Sequence, residues 1–303
     1  MRGMWIAAGG AAIIALMIAW SAFDRANEGA PGFYVWKTLS GQGHGGRRAN
    51  VDGVSIYYET FGKGPPVLVL HGGKGVLESM RYQIAALAAD HLVIAPDSRG
   101  HGRSTDGPGP LHYADMADDM IGVMDQLQIA KADVVGWSDG GIIALDLAMR
   151  YPDRIGRVVT MGANFDVAGL VDSVPPPAPG GPPATGQADV DHPPAAIASP
   201  EAAFSAKVDT MWASEPHYSP ADLRRIRSPV LVIAGEHDVI RRDHTDALAR
   251  AISGAREMII PGASHGTPQE AHGVVNAAIR AFLTPGTRVN IPLSGESVRN
   301  FNK

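Results

Sequence analysis

Between Val54 and Leu283 the chain repeats one pattern, in which a short apolar run is followed by a stretch with helical spacing. Val54–Phe61 (VSIYYETF) alternates as a strand does after the turn at Asp52-Gly53. Val67–Leu70 (VLVL) is wholly apolar, as a strand covered on both faces must be. Further strands are predicted at Leu92–Ala95, Asp133–Gly136, Arg157–Met161, Val230–Ala234 and Met258–Ile260. Helices are predicted over Ser79–Ala89, Tyr113–Leu127, Gly140–Arg150, Asp243–Ile252 and Glu270–Leu283. Within Tyr113–Leu127 the residues Met116, Met120, Ile121, Met124 and Leu127 fall on one helical face. Strand–helix alternation of this kind predicts an α/β class: a mostly parallel sheet with helices on both faces.

Composition narrows the chemistry. The 303 residues carry a formal net charge of −5, which argues against a nucleic-acid binder with its basic face. Cysteine is absent, so disulfides, thiolate metal sites and a Cys nucleophile are excluded. The histidines show no H-E-x-x-H or comparable spacing, and neither a metal nor a cofactor is expected.

Four segments stand outside the alternation. From Gly3 to Phe23 there is no charged residue, and about 20 helical residues span a hydrocarbon core. Trp5 and Trp20 sit near the ends of this run, and Arg2 precedes it. Residues 1–23 therefore read as a single-pass membrane anchor that leaves the rest of the chain outside the cytoplasm. The rival reading is a cleaved signal sequence with secretion, for which Ala19-Trp20-Ser21 offers a small-x-small site. The length of the apolar run favours the anchor, since a signal h-region normally has only about 7–15 residues. Residues 24–49, with Gly41, Gly43, Gly45 and Gly46 around His44, read as a flexible linker, and Arg47-Arg48 as a solvated turn. An irregular insert is expected at about 166–206, because the prolines between Asp172 and Pro200 belong in neither helix nor central strand. The polar stretch 286–303 reads as a loose tail, leaving 50–285 as the folded domain.

In sheets of this type, function gathers in the loops after the carboxyl ends of strands. Those loops carry His71-Gly72-Gly73, then Asp97–Ser104 (DSRGHGRS), then Trp137–Gly141 (WSDGG). Further along they carry Gly235–Asp238 (GEHD) and Gly262–His265 (GASH). A hydroxyl, a carboxylate and an imidazole thus stand at strand ends in the order Ser138, Asp238, His265. Gly136-Trp137-Ser138-Asp139-Gly140 matches G-x-S-x-G, with a predicted strand before it and a helix after it. A serine on so sharp a turn needs room two residues to either side, which glycines leave. The helix start behind Ser138 adds positive potential where an oxyanion would form.

With those motifs in view, residues from about Asn50 to Leu283 resemble the α/β-hydrolase superfamily. Within it, GWSDGG and YYETFGKGPPVLVLHGG resemble the biphenyl-hydrolase-like and enol-lactonase-like serine esterases. The resemblance implies Ser138 as nucleophile, His265 as general base and Asp238 as the acid that orients it. The oxyanion donors would be the N–H groups of Gly73 and Asp139. It further implies an acyl-enzyme, no cofactor, and a small ester or acyl compound as substrate. The chain departs from the family where a helical cap is usual, since the proline-rich insert lies there.

Alternatives stand beside these assignments. Asp166 is a rival acid after Arg157–Met161, although Ser…Asp…His is the usual chain order. His71 reads as an orienter of the oxyanion loop, His101 as an internal tie within its own loop, and His237 as solvent-facing. The Asp139 side chain reads either as a stiffener of the turn or as a substrate contact for a cationic amine. The same three catalytic groups also serve lactone, C–C and perhydrolase chemistry. A hydrolase-fold module that only binds a ligand is the reading from outside the enzyme class.

Overall fold

A computed structural model describes residues 30–41, 43–171, 200–284 and 298–299. Its centre is a nine-stranded sheet in the order β1-β2-β4-β3-β5-β6-β7-β8-β9. The strands are β1 (Gly43–Val51), β2 (Val54–Phe61), β3 (Pro66–Leu70), β4 (Leu92–Pro96), β5 (Ala132–Trp137), β6 (Ile155–Met161), β7 (Val230–His237), β8 (Arg256–Ser264) and β9 (Val298–Arg299). From β4 through β3, β5, β6 and β7 to β8 all pairings are parallel, while β2 joins β4 and β9 joins β8 antiparallel. The inner strands are buried on both faces: Val67 to Leu70, and likewise Val134 and Val135, have no solvent exposure. That is why these runs are apolar without alternation.

The helices are α1 (Ala30–Leu39), α2 (Arg81–Leu87), α3 (Tyr113–Gln126), α4 (Asp139–Arg150), α5 (Pro200–Ser214), α6 (Pro220–Leu223), α7 (Arg242–Ala251), α8 (Thr267–Glu270) and α9 (His272–Leu283). Helix α4 packs on β5 and β6 and is crossed by α3 and α6, so residues 139 to 149 are buried around its whole circumference. Gly141 makes this approach possible, because a Cβ there would stand 2.8 Å from the Ala163 side chain.

Several expectations are corrected. The segment 24–49 is not all linker, since Ala30–Leu39 is helical and Gly43–Val51 is the edge strand β1. The glycines hid this strand. A Cβ on Gly46 would fall on the Tyr57 ring, so the glycine is where the neighbouring strand's aromatic ring lies. Arg48 is no simple turn residue, for its guanidinium lies 5.8 Å from the Tyr57 ring centre. The chain divides into two units, Met1–Gly43 and His44–Lys303, so the sheet-bearing unit starts before Asn50. The irregular insert does not reach 206, because α5 begins at Pro200. Positions 172–199 lie outside the described residues, as do 285–297 and 300–303 of the tail; within that tail, Val298–Arg299 pairs with β8. The apolar run Gly3–Phe23 also lies outside them, and among the described residues no helix is long and apolar enough to cross a membrane.

Candidate active site

Ser138 occupies the one-residue turn between β5 and α4, with φ 53° and ψ −119°. A non-glycine residue in that region costs on the order of 1–3 kcal/mol and persists only where its surroundings over-determine it. Here they do. The Ser138 N–H donates to Met161 O at 2.8 Å, and its carbonyl accepts from Gly141 N at 2.8 Å and Ile142 N at 3.1 Å. Gly136 and Gly140 close the turn: a Cβ on the first would lie 2.1 Å from Gly140 O, and on the second 2.4 Å from Leu70 O.

The other two groups arrive from parallel strands further along the sheet, beyond β6. Asp238 follows β7 directly and His265 follows β8, so all three side chains leave the same edge of the sheet. Ser138 Oγ lies 3.0 Å from His265 Nε2, and His265 Nδ1 lies 2.7 Å from Asp238 Oδ1. The Asp238 side chain is 1% exposed, and Oδ1 also accepts from Ile240 N at 3.0 Å. These partners put the His265 proton on Nδ1 and leave Nε2 to accept from the serine. Burial alone would lower the His265 pKa, but the charge and hydrogen bond of Asp238, with Asp139 and Glu270 further off, raise it above its ordinary value.

Sequence reasoning missed the supports of this arrangement. Gly162, at φ 58°, underlies the pair: a Cβ there would come within 2.9 Å of His265 Nδ1 and 3.1 Å of Asp238 Oδ2. Trp137 Nε1 donates to His265 O at 2.8 Å, and Glu270 Oε2 accepts from Ser264 N at 2.7 Å, fixing the histidine loop on both sides. A glycine directly after the strand β6 was the available signal for Gly162. Nothing in spacing marks Trp137 or Glu270.

The turn after β3 lies against the nucleophile. A Cβ on Gly72 would stand 3.1 Å from Ser138 Cβ, and one on Gly73 would stand 2.4 Å from Asp139 Oδ2. His71 holds this turn from beneath, with Nε2 accepting from Ser98 N at 3.0 Å and Nδ1 donating to Gly72 O at 2.7 Å. His101 Nε2 accepts from Lys74 N at 3.0 Å, while its Nδ1 donates to Arg99 O at 3.0 Å. Both imidazoles must be neutral to accept. Burial lowers the pKa of His71, and burial with the neighbouring His71 lowers that of His101 to about 3. Gly72 and Gly73 thus lie against Ser138 and Asp139.

The carboxylate of Asp139 is turned into the protein. It is 5% exposed and accepts from Tyr113 OH at 3.0 Å and from Trp212 Nε1, which lies 3.0 Å from each oxygen. The expectation of a substrate amine on this side chain is therefore corrected: its lone pairs face an indole and a phenol. The stiffening role is kept, though through those side chains rather than through backbone amides. Burial raises the Asp139 pKa against the two hydrogen bonds. Asp166 lies apart from the triad, accepting from Ala168 N at 2.8 Å and pairing with His217 at 2.9 Å. His237 is exposed. Among the described residues no group of three His, Asp or Glu could hold a metal ion.

Comparison with known proteins agrees with the fold. A family model described as the alpha/beta hydrolase fold matches residues 65–204. A protein of Azorhizobium caulinodans named for carbamate hydrolysis is 43% identical over 100 residues, 33% of this chain and 38% of that protein. The 2-hydroxymuconate semialdehyde hydrolase of Pseudomonas sp. strain CF600 is 38% identical over 136 residues, 43% of this chain and 48% of that protein. The chain thus spans less than half the length of these curated relatives. The solved enol-lactonase of Burkholderia xenovorans LB400 shares the fold with a TM-score of 0.64 and 23% identity, covering 79% of this chain and all of that one. Residues 65–204 thus match the α/β-hydrolase family, and the chain carries the fold of the solved hydrolases. Its relatives in sequence are hydrolases.

Proposed function

We propose that this protein is a serine hydrolase that cleaves carboxylic esters or related acyl compounds through Ser138, His265 and Asp238. The observation that carries the reading is the chain of contacts from Ser138 Oγ to His265 Nε2 at 3.0 Å and from His265 Nδ1 to Asp238 Oδ1 at 2.7 Å. As Oγ attacks the carbonyl carbon, its proton passes to His265 Nε2, and the buried Asp238 carboxylate stabilises the imidazolium. The carbonyl oxygen becomes an oxyanion facing the N–H groups of Asp139 and Gly73, and loss of one such donor typically costs about 10²–10³ in turnover. His265 then gives its proton to the leaving oxygen, an acyl-Ser138 ester remains, and water activated by the same imidazole releases the acid. No step needs a cofactor.

The acyl class stays broad in this proposal. Relatives named for a carbamate and for a semialdehyde substrate widen it beyond simple esters. We also propose that residues 1–23 tether the enzyme to a membrane with the hydrolase unit on the extracytoplasmic side, supported by the uncharged run Gly3–Phe23 and by Trp5 and Trp20 near its ends. A fluorophosphonate probe tests the chemistry: it labels Ser138 in the wild type and nothing in Ser138→Ala. An unlabelled wild type overturns the hydrolase reading in favour of a binding module. Extraction of full-length protein by alkaline carbonate overturns the anchor and leaves the chemistry untouched.

A further inference from the structure

Helix α5 reaches the oxyanion corner at three points. Phe204, Val208 and Trp212 recur every four residues and so lie on one stripe of the helix, with Asp209 beside them. Trp212 donates Nε1–H to both Asp139 oxygens at 3.0 Å, and its ring sits on the Gly73 α-carbon, where a Cβ would stand 2.5 Å from Cζ2. Asp209 pairs with Lys74 Nζ at 2.5 Å, and that ammonium lies 4.9 Å from the Trp212 ring centre. Phe204 packs edge-on against His101 at 4.8 Å, the same imidazole that accepts from Lys74 N–H. The turn Gly73-Lys74 and the first residue of α4 are thus held from one helix.

We propose that Trp212 is a positioning residue: through the Asp139 carboxylate and the Gly73 contact, it sets both oxyanion N–H donors against Ser138, so that the seating of α5 governs transition-state stabilisation. This rests on the serine-hydrolase reading above. The physical reason is that Asp139 carries both the donor and the carboxylate. A side chain pinned at both oxygens fixes the residue whose N–H must meet the oxyanion, and preorganised donors are worth most where water is excluded. Tyr113 OH, from the start of α3, supplies a second pin on Oδ1. Lys74 and Asp209 are partly exposed, so their ion pair adds little on its own. The indole N–H on a buried carboxylate is the strong link.

The test compares Trp212→Phe, Asp139→Asn, Asp139→Ala and Lys207→Ala in the full-length protein, with a p-nitrophenyl ester as substrate and a trifluoromethyl ketone as the oxyanion-forming inhibitor. Trp212→Phe keeps a ring over Gly73 and loses the N–H. It is expected to lower kcat about 10- to 100-fold with KM within twofold, and to weaken the ketone by the same factor, as loss of oxyanion stabilisation does. Asp139→Asn, which still offers an oxygen to Trp212 and Tyr113, is expected to retain at least tenfold more activity than Asp139→Ala. Lys207→Ala cuts the Lys207–Asp106 pair on the same helix and is expected to leave kcat unchanged. A Trp212→Phe enzyme with unaltered kcat and ketone affinity, or with a rise in KM alone, overturns the proposal. So does a Lys207→Ala enzyme as impaired as Trp212→Phe, since general loosening of the helix would then suffice. A wild type that neither hydrolyses the ester nor binds the ketone removes the hydrolase reading and this proposal together, which sets that failure apart from the others.

Discussion

The turn that carries Ser138 and the helix that covers it are built by opposite means. The turn is held by backbone: three main-chain hydrogen bonds and two glycines leave Ser138 one conformation. Helix α5 holds its place by side chains: Val208 and Met211 in the core, an indole N–H, two lysine–aspartate pairs and one aromatic edge. Backbone-built geometry tolerates no substitution at its glycines but asks little of its neighbours. Side-chain-built geometry can be retuned one residue at a time. The first fits a geometry that must not vary, and the second one that single substitutions adjust.

The sharpest way to break this contrast is at the reacting groups. Ser138→Ala and His265→Ala should each lower p-nitrophenyl ester hydrolysis by at least about 10⁴-fold without moving the thermal midpoint, since the turn does not depend on either side chain's chemistry. Asp238→Asn follows, with a loss of roughly 10³–10⁴ from a misoriented imidazole, whereas Asp166→Asn should stay within twofold. If steady-state kinetics rank Asp166 above Asp238, the acid is misassigned. Gly162→Ala probes the backbone-built side directly. A Cβ at that positive φ, pressed against His265 and Asp238, should cost about 1–2 kcal/mol in urea unfolding and about tenfold in kcat/KM.

Smaller effects sharpen the comparison. Hydrolysis needs neutral His265, so kcat/KM should fall as pH drops through a pKa displaced upward from the usual imidazole value. Asp139 contributes to that displacement, so Asp139→Asn should move the acid limb of the pH profile downward, by less than one unit. An unmoved limb would mean that the carboxylate is not charged when the enzyme turns over. Smallest of all, Lys207→Ala should change stability by no more than about 1 kcal/mol, because its pair with Asp106 is a third exposed. Chemical denaturation reads that value.

What could be read in the sequence follows the same division. The parallel core was legible because a strand buried on both faces must be apolar, as Val67–Leu70 and Val230–Ala234 are. The loops bearing Ser138, Asp238 and His265 were legible because motifs at strand ends keep their local order. Strand β1 was not, since its glycines mimic a loop, although Gly46 makes room for the Tyr57 ring on the next strand. Helix α5 was not, since PEAAFSAKVDTMWAS shows little sidedness and follows a proline-dense run. Nor were Gly162 and Trp212, whose work is done across 103 and 73 positions of chain, on His265 and Asp139.

The neutral imidazoles of His71 and His101 carry a thermodynamic consequence of their own. Each accepts a backbone N–H that an imidazolium could not satisfy, and His101 titrates near 3 when folded but near the ordinary value of about 6.5 when the chain is open. Between those two values the unfolded chain binds more protons than the folded one, so proton uptake pulls the equilibrium toward unfolding as pH falls. The two histidines therefore act as a built-in acid limit on the folded state. It lies on the same flank as Gly73 but is separate from the triad. Under the proposed function, protonation of His265 silences a folded enzyme, whereas between the two His101 values protonation at that imidazole favours opening of the turn it supports.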